Sequence, residues 1–135
     1  MASVIDTMGN KYIAAEGLEL LKITYDFAVD GGSVASLTLF TPKQDMVIHK
    51  AIMKVKTACT SGGSATVSVG AVGSVAAYVA ATAVASLTAN AIITGVATLG
   101  PSGIRAVADT AVVLDIATAA LTAGKIEVEL IVSKF

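Results

Sequence analysis

VIHKAIMKVKTACTSGGSATVSVG, Val47 to Gly70, is the stretch on which the reading of this chain turns. Its odd positions Val47, His49, Ala51, Met53, Val55, Thr57 and Cys59 alternate with a set that includes Lys50, Lys54 and Lys56. Side chains point to opposite faces along an extended strand, so the three lysines share a wet face while Met53, Val55 and Cys59 look into a core. After Ser61-Gly62-Gly63-Ser64 the alternation resumes, with Ala65, Val67 and Val69 set against Thr66 and Ser68. Adjacent glycines tolerate the positive φ angles of a tight reversal, and the stretch predicts a β-hairpin over one core.

Working outward, the same period of two recurs. Leu21, Ile23, Tyr25, Phe27 and Val29 alternate with Lys22, Thr24, Asp26 and Asp30, a half-buried strand. Asp30-Gly31-Gly32-Ser33 is a turn, and Val34 to Phe40 returns as a second predicted hairpin. Thr41 to Asp45 breaks the pattern at Pro42. Ser74 to Ala81 is alanine-rich and reads as a short surface helix, and Ala85 to Val96 as one or two short strands around Asn90. Thr98 to Gly103 is a loop punctuated by Gly100-Pro101. Two further strands follow, Thr110 to Ala117 with Val112, Leu114 and Ile116 on one face, and Lys125 to Lys134 with Ile126, Val128, Leu130 and Val132 on one face. Thr118 to Gly124 connects them. Seven or eight short strands separated by polar turns predict an all-β fold, an antiparallel β-sandwich or jelly roll with one short helix.

The chain has 135 residues, enough for one core, and divides into an N-terminal arm over 1–19 and a sandwich domain over 20–135. Weak patterning marks the arm, with Gly9-Asn10 and Gly17 as breakers and a helical turn around Lys11 to Glu16. It lacks a basic region followed by an apolar run and does not read as a secretory signal. A formal net charge of −1 gives no electrostatic reason to expect nucleic acid. Hydrophobic residues make up 55% but aromatics only 4%, so the apolar content is small aliphatics suited to closely packed sheets.

No charged residue occurs between Lys56 and Arg105. Ala71 to Ala89 has the length of a membrane span. Its Ser74, Thr82, Ser86, Thr88 and Gly73, its single leucine and its lack of close basic flanks favour a soluble β-rich segment instead. So extended an uncharged surface marks an interface, and part of Ala71 to Ala97 is expected at a subunit contact, with Val79 and Val84 as probes.

Chemistry is sparse. One His and one Cys cannot make a metal site, and no cofactor is expected. Asp26 and Asp30 before Gly31-Gly32 read as a turn rather than a cation loop. His49 and Cys59 on one strand lie about 33 Å apart at ~3.3 Å per residue, too far to act together. His49 is expected to be a partly buried structural residue, and Cys59 a small core hydrophobe. No G-x-S-x-G elbow or phosphate-binding glycine loop occurs. Glu127 and Glu129, about 7 Å apart on one strand face, read as a solvated face, as do the three lysines.

Three blocks, ITYDFAVDGGSVASLTLFT, MVIHKAIMKVKTACTSGGSATVSVG and ADTAVVLDIATAALTAGKIEVELIVSKF, together resemble a group of small tailed-bacteriophage virion proteins of the capsid decoration (cement) or head-fibre type. The resemblance implies a non-enzymatic homotrimer that binds the major capsid protein on the capsid exterior after synthesis in the host cytoplasm, with no nucleic-acid or membrane partner. It also implies that one layer of the sandwich or a terminal arm lies on the capsid; in the arm, Met1, Val4, Ile5 and Met8 are apolar residues in a segment too short to pack alone and are the candidate contacts. The alternatives are a carbohydrate- or receptor-binding head-fibre module, for which three Tyr, three Phe and no Trp offer few platforms, and a small membrane protein resting on Ala71 to Ala89.

Overall fold

Alternating stretches become strands throughout the computed structural model, which describes residues 19–94 and 104–135. In chain order these are β1 (Glu19–Asp26), β2 (Ala35–Phe40), β3 (Met46–Ser61), β4 (Thr66–Ala71), β5 (Ser74–Ala83), β6 (Ile92–Thr94), β7 (Ile104–Ala106), β8 (Val112–Ala117) and β9 (Leu121–Lys134). One helical turn, Phe27–Asp30, follows β1, and a 3-10 turn, Val84–Ser86, follows β5. The fold is all-β, two antiparallel sheets packed face to face. One sheet runs β1-β9-β3-β6 with β7 also paired to β3, and the other runs β2-β8-β4-β5.

The pairing follows a simple rule. Counted from the two ends, β1 pairs with β9, β2 with β8, β3 with β7 and β6, and β4 with β5, every pair antiparallel. The chain is therefore one long hairpin, reversed at Val72-Gly73 and rolled so that β9 also meets β3 and β8 also meets β4. Gly73 has φ +91°, the left-handed backbone that a two-residue reversal needs.

Inward faces make the core. Ile48, Ala51, Met53 and Val55 of β3 and Ile126, Val128, Leu130 and Val132 of β9 face Val67, Val69, Val79, Val112, Leu114 and Ile116 of the other sheet, all buried. Burying each such aliphatic side chain is worth about 1.5–3 kcal/mol over leaving it exposed, so these faces hold the sheets together. Cys59 lies among them, buried as its parity predicts.

Both predicted hairpins are corrected. β3 and β4 lie in different sheets, and so do β1 and β2. Neither Gly62 nor Gly63 has a positive φ, so Ser61 to Ala65 does not reverse the chain in one sheet but carries it across to the other. Alternation was met all the same, because both sheets face one core. Ser74–Ala83 is a strand where a surface helix was expected over Ser74 to Ala81: it pairs antiparallel with β4 and buries Tyr78 and Val79 in the core. The strand over Leu21 to Val29 stops at Asp26, whose Oδ1 accepts the Ala28 N–H at 3.0 Å, and Val29 is left 79% exposed. The connector expected over Thr118 to Gly124 is shorter, since β9 starts at Leu121. The loop over Thr98 to Gly103 lies outside the described residues.

Candidate interaction surface

The two long flanks of the sandwich are built differently. On one, Val84 to Ala91 crosses from β5 to β6 and seals the gap between the sheets. Leu87 is fully buried there, its carbonyl accepting the Cys59 N–H at 3.0 Å, while Asn90 N–H donates to Val55 O at 2.8 Å and Val55 N–H to Ala91 O at 2.9 Å. On the other, the edges of β1 and β2 stand apart over a cleft of about 230 Å3 lined by Ile23, Thr24, Tyr25, Leu37, Leu39 and Leu114, among others. Among the described residues β1 pairs with β9 alone and β2 with β8 alone. Tyr25 closes the cleft floor, its hydroxyl donating to Gly31 O at 2.6 Å. Burial, then nearby Cys59, Asp30 and Asp26, push that phenol up to about 12, so it stays a donor.

Asp45 knots one end of the sandwich. Its carboxylate accepts the Ala108 N–H at 2.9 Å and the Arg105 guanidinium at 2.5 Å, and its carbonyl accepts the Phe135 N–H at 3.1 Å. The Ala108 N–H first, then Arg105, hold the carboxyl below its usual range. Arg105 in turn lies over the Phe135 ring, 4.7 Å from its centroid. Leu20, Val72, Val107 and Phe135, about half or more exposed, all lie toward this end, and β1 receives the chain from residues 1–18 there. This end and the open flank are the surfaces with most to offer a partner.

Outward on the five-stranded sheet, charges meet across strands. Lys54 Nζ lies 2.8 Å and Lys22 Nζ 3.9 Å from Glu129 Oε2, and Lys56 Nζ lies 3.8 Å from Glu127 Oε1. Lys54 first holds the Glu129 carboxyl below its usual range, and Glu129 raises Lys54. The lysines and glutamates read separately as two wet faces thus neutralise one another on adjacent strands. His49, half-buried, has Nε2 2.7 Å from Ser133 Oγ on this face and stands far from Cys59. No three His, Cys, Asp or Glu side chains converge among the described residues. Asp26 and Asp30 each take a backbone N–H and close a turn.

The sequence-derived contact residues fare unevenly. Val79 is fully buried opposite Val69, in the core of its own protomer. Val84 is half-buried against the core in the 3-10 turn. Met1, Val4, Ile5 and Met8 lie outside the described residues. The sequence reading did not single out the exposed Val72, Val107 and Phe135: loop-borne apolar residues have no period, only Gly73 and Asp109, both at positive φ, mark the turns that carry Val72 and Val107, and Phe135 follows the end of β9. Ala71 to Ala89 holds a strand rather than a span, and among the described residues no helix is long and apolar enough to cross a membrane.

No protein-family model and no curated protein sequence matches the chain. Solved structures do. A chain in the acidic stable capsid structure of Helicobacter pylori bacteriophage KHP30 superposes with a TM-score of 0.59 at 16% identity, over 86% of this chain and 86% of that one. One in the capsid of Ralstonia phage GP4 gives 0.60 at 17% identity, over 100% and 91%. One in the cyanophage Pam1 capsid asymmetric unit gives 0.60 at 17%, over 98% and 94%. The likeness is of fold, and its near-reciprocal coverage means that the matched chains are about as long as this one.

Proposed function

We propose that this chain is a non-enzymatic structural protein of a bacteriophage virion, a cement or decoration protein that binds the major capsid protein on the capsid exterior, as a trimer. The observation that carries the reading is the whole-length fold likeness to three chains of about the same size, each from a phage capsid. The strand order supports it: with β6 and β7 counted as one interrupted strand on β3, the sheets run 1-8-3-6 and 2-7-4-5, the double Greek key of a jelly roll.

The mechanism is area burial repeated around a symmetry axis. Each protomer offers modest contacts, from the arm residues Met1, Val4, Ile5 and Met8 and from the Asp45 end with Val72, Val107 and Phe135. Linking three protomers makes the second and third contacts effectively intramolecular. A head-fibre module that binds sugars draws less support, since Phe135 is the one strongly exposed ring among the described residues.

Co-sedimentation of the purified chain with capsids lacking it, together with its native mass by light scattering, tests the reading. Saturable binding by a species of three chains is expected. A monomer that leaves capsids untouched overturns it.

A further inference from the structure

The cleft on the open flank joins three features that point to one kind of occupant. Its walls are apolar, with Ile23 from β1, Leu37 and Leu39 from β2 and Leu114 from β8, yet the exposed Asp30 lines it too. Its volume of about 230 Å3 exceeds the ~150 Å3 that admits a benzene ring, so one long side chain fits. The edges of β1 and β2 beside it have no further strand partner among the described residues. We propose that the open flank takes an extended segment of a partner protein and seats one lysine or arginine side chain in the cleft, its stem against Ile23, Leu37 and Leu39 and its charge beside Asp30.

Charge selects the occupant. On the outer face of the five-stranded sheet Glu129 is answered by Lys54 and Lys22, and Glu127 by Lys56, while Asp45 is answered by Arg105. Asp26 and Asp30 have no ion-pair partner among the described residues, although Lys125 stands opposite Asp26 in the β1-β9 register. Each accepts one backbone N–H of its own turn, Asp26 Oδ1 from Ala28 and Asp30 Oδ2 from Asp26, both at 3.0 Å. Their charge reaches the cleft floor: after burial and Cys59, Asp30 and then Asp26 help to push up the Tyr25 phenol. An apolar side chain would fill the walls and leave the Asp30 carboxylate unanswered. Lysine or arginine does both, because its aliphatic stem packs on apolar surface while its charged head stays at the polar rim.

The strand edges complete the site. Sheet edges capture extended segments through main-chain hydrogen bonds, and a pocket for an alternate side chain sets the preference. The inference does not rest on the capsid reading, and capsid co-sedimentation can fail while it holds.

Titration of the intact chain with a short blocked peptide, one central arginine between threonines and valines, tests it by methyl and aromatic NMR. The reference is the same peptide with norleucine at its centre. Saturable shifts of the Ile23, Leu37 and Leu39 methyls and of the Tyr25 ring are expected, with the norleucine peptide bound roughly threefold or more weakly at low salt. Added salt and Asp30→Asn should each remove that difference. No shift of those groups at about 10 mM peptide overturns the proposal. So does equal binding of the two peptides, and so do the same shifts on concentrating the chain alone, which would put a second copy in the cleft. Should Asp30→Asn disturb the turn, the two peptides on the unaltered chain still decide.

Discussion

The sealed flank and the open flank close the same sandwich by opposite means. Along β5 and β6 the connection Val84 to Ala91 passes between the sheets and gives its backbone to β3 and its one leucine to the core. Along β1 and β2 the connection crosses at the end instead, through the turn Phe27–Asp30, and the strand edges are left standing over a cleft. The charge-free middle of the chain is what the sealed flank is made from. Within it Tyr78, Val79 and Leu87 are buried inside the protomer. Among its described residues, those it exposes are chiefly alanine, serine and threonine, with Val72 and Ile92 as the larger exceptions.

That comparison is broken most severely at Val79. Val79→Asp puts an unpaired carboxylate into the core and should cost more than ~4 kcal/mol, read as loss of the cooperative unfolding transition. Val84→Asp, half-buried at the rim, should leave the chain folded. A lowered native mass for that folded variant would place Val84 in a subunit contact, and an unchanged mass would remove it.

The two flanks can next be weighed leucine against leucine. Leu87→Ala empties a fully buried site and should cost about 2–5 kcal/mol, whereas Leu37→Ala on the half-open side should cost roughly half as much. Urea midpoints read both. Equal losses would mean that the open flank is as well covered in solution as the sealed one.

The smallest effect lies on the outer face that both flanks border. Glu129 has its carboxyl lowered by Lys54, so its contribution is complete above the unfolded carboxyl value near 4.5 and fades as pH falls through the lower folded value. Glu129→Gln should therefore lower the melting temperature slightly at pH 7, and by less as the pH is lowered below 4.5, given how exposed the two lysines are. A larger loss at acid pH would contradict the pairing.

Much of this architecture was legible in the sequence. Alternation found β1, β2, β3, β4, β8 and β9 and most of their inward sets, because in a half-buried strand burial has the period of the backbone itself. It missed β5, where alanines on both faces and a register shift opposite Val69 blur the period. The candidate surface was less legible than the core. Val72, Val107 and Phe135 gather toward one end only because β4, β7 and β9 finish there, and nothing local in the chain carries that information.

By itself, then, the sequence determined the all-β class, the single core, the inward set of most strands and the buried Cys59. These are local consequences of side-chain type and parity. Only the tertiary structure decided which strands are neighbours, that Ser61 to Ala65 crosses between sheets, that Lys54 answers Glu129, and that among the described residues one flank is closed while the other is open. Parity says which face of a strand must be dry. It does not say which of two sheets facing the same core supplies the cover, and that choice is made by turn geometry and by pairing between residues as far apart in the chain as Glu19 and Val132.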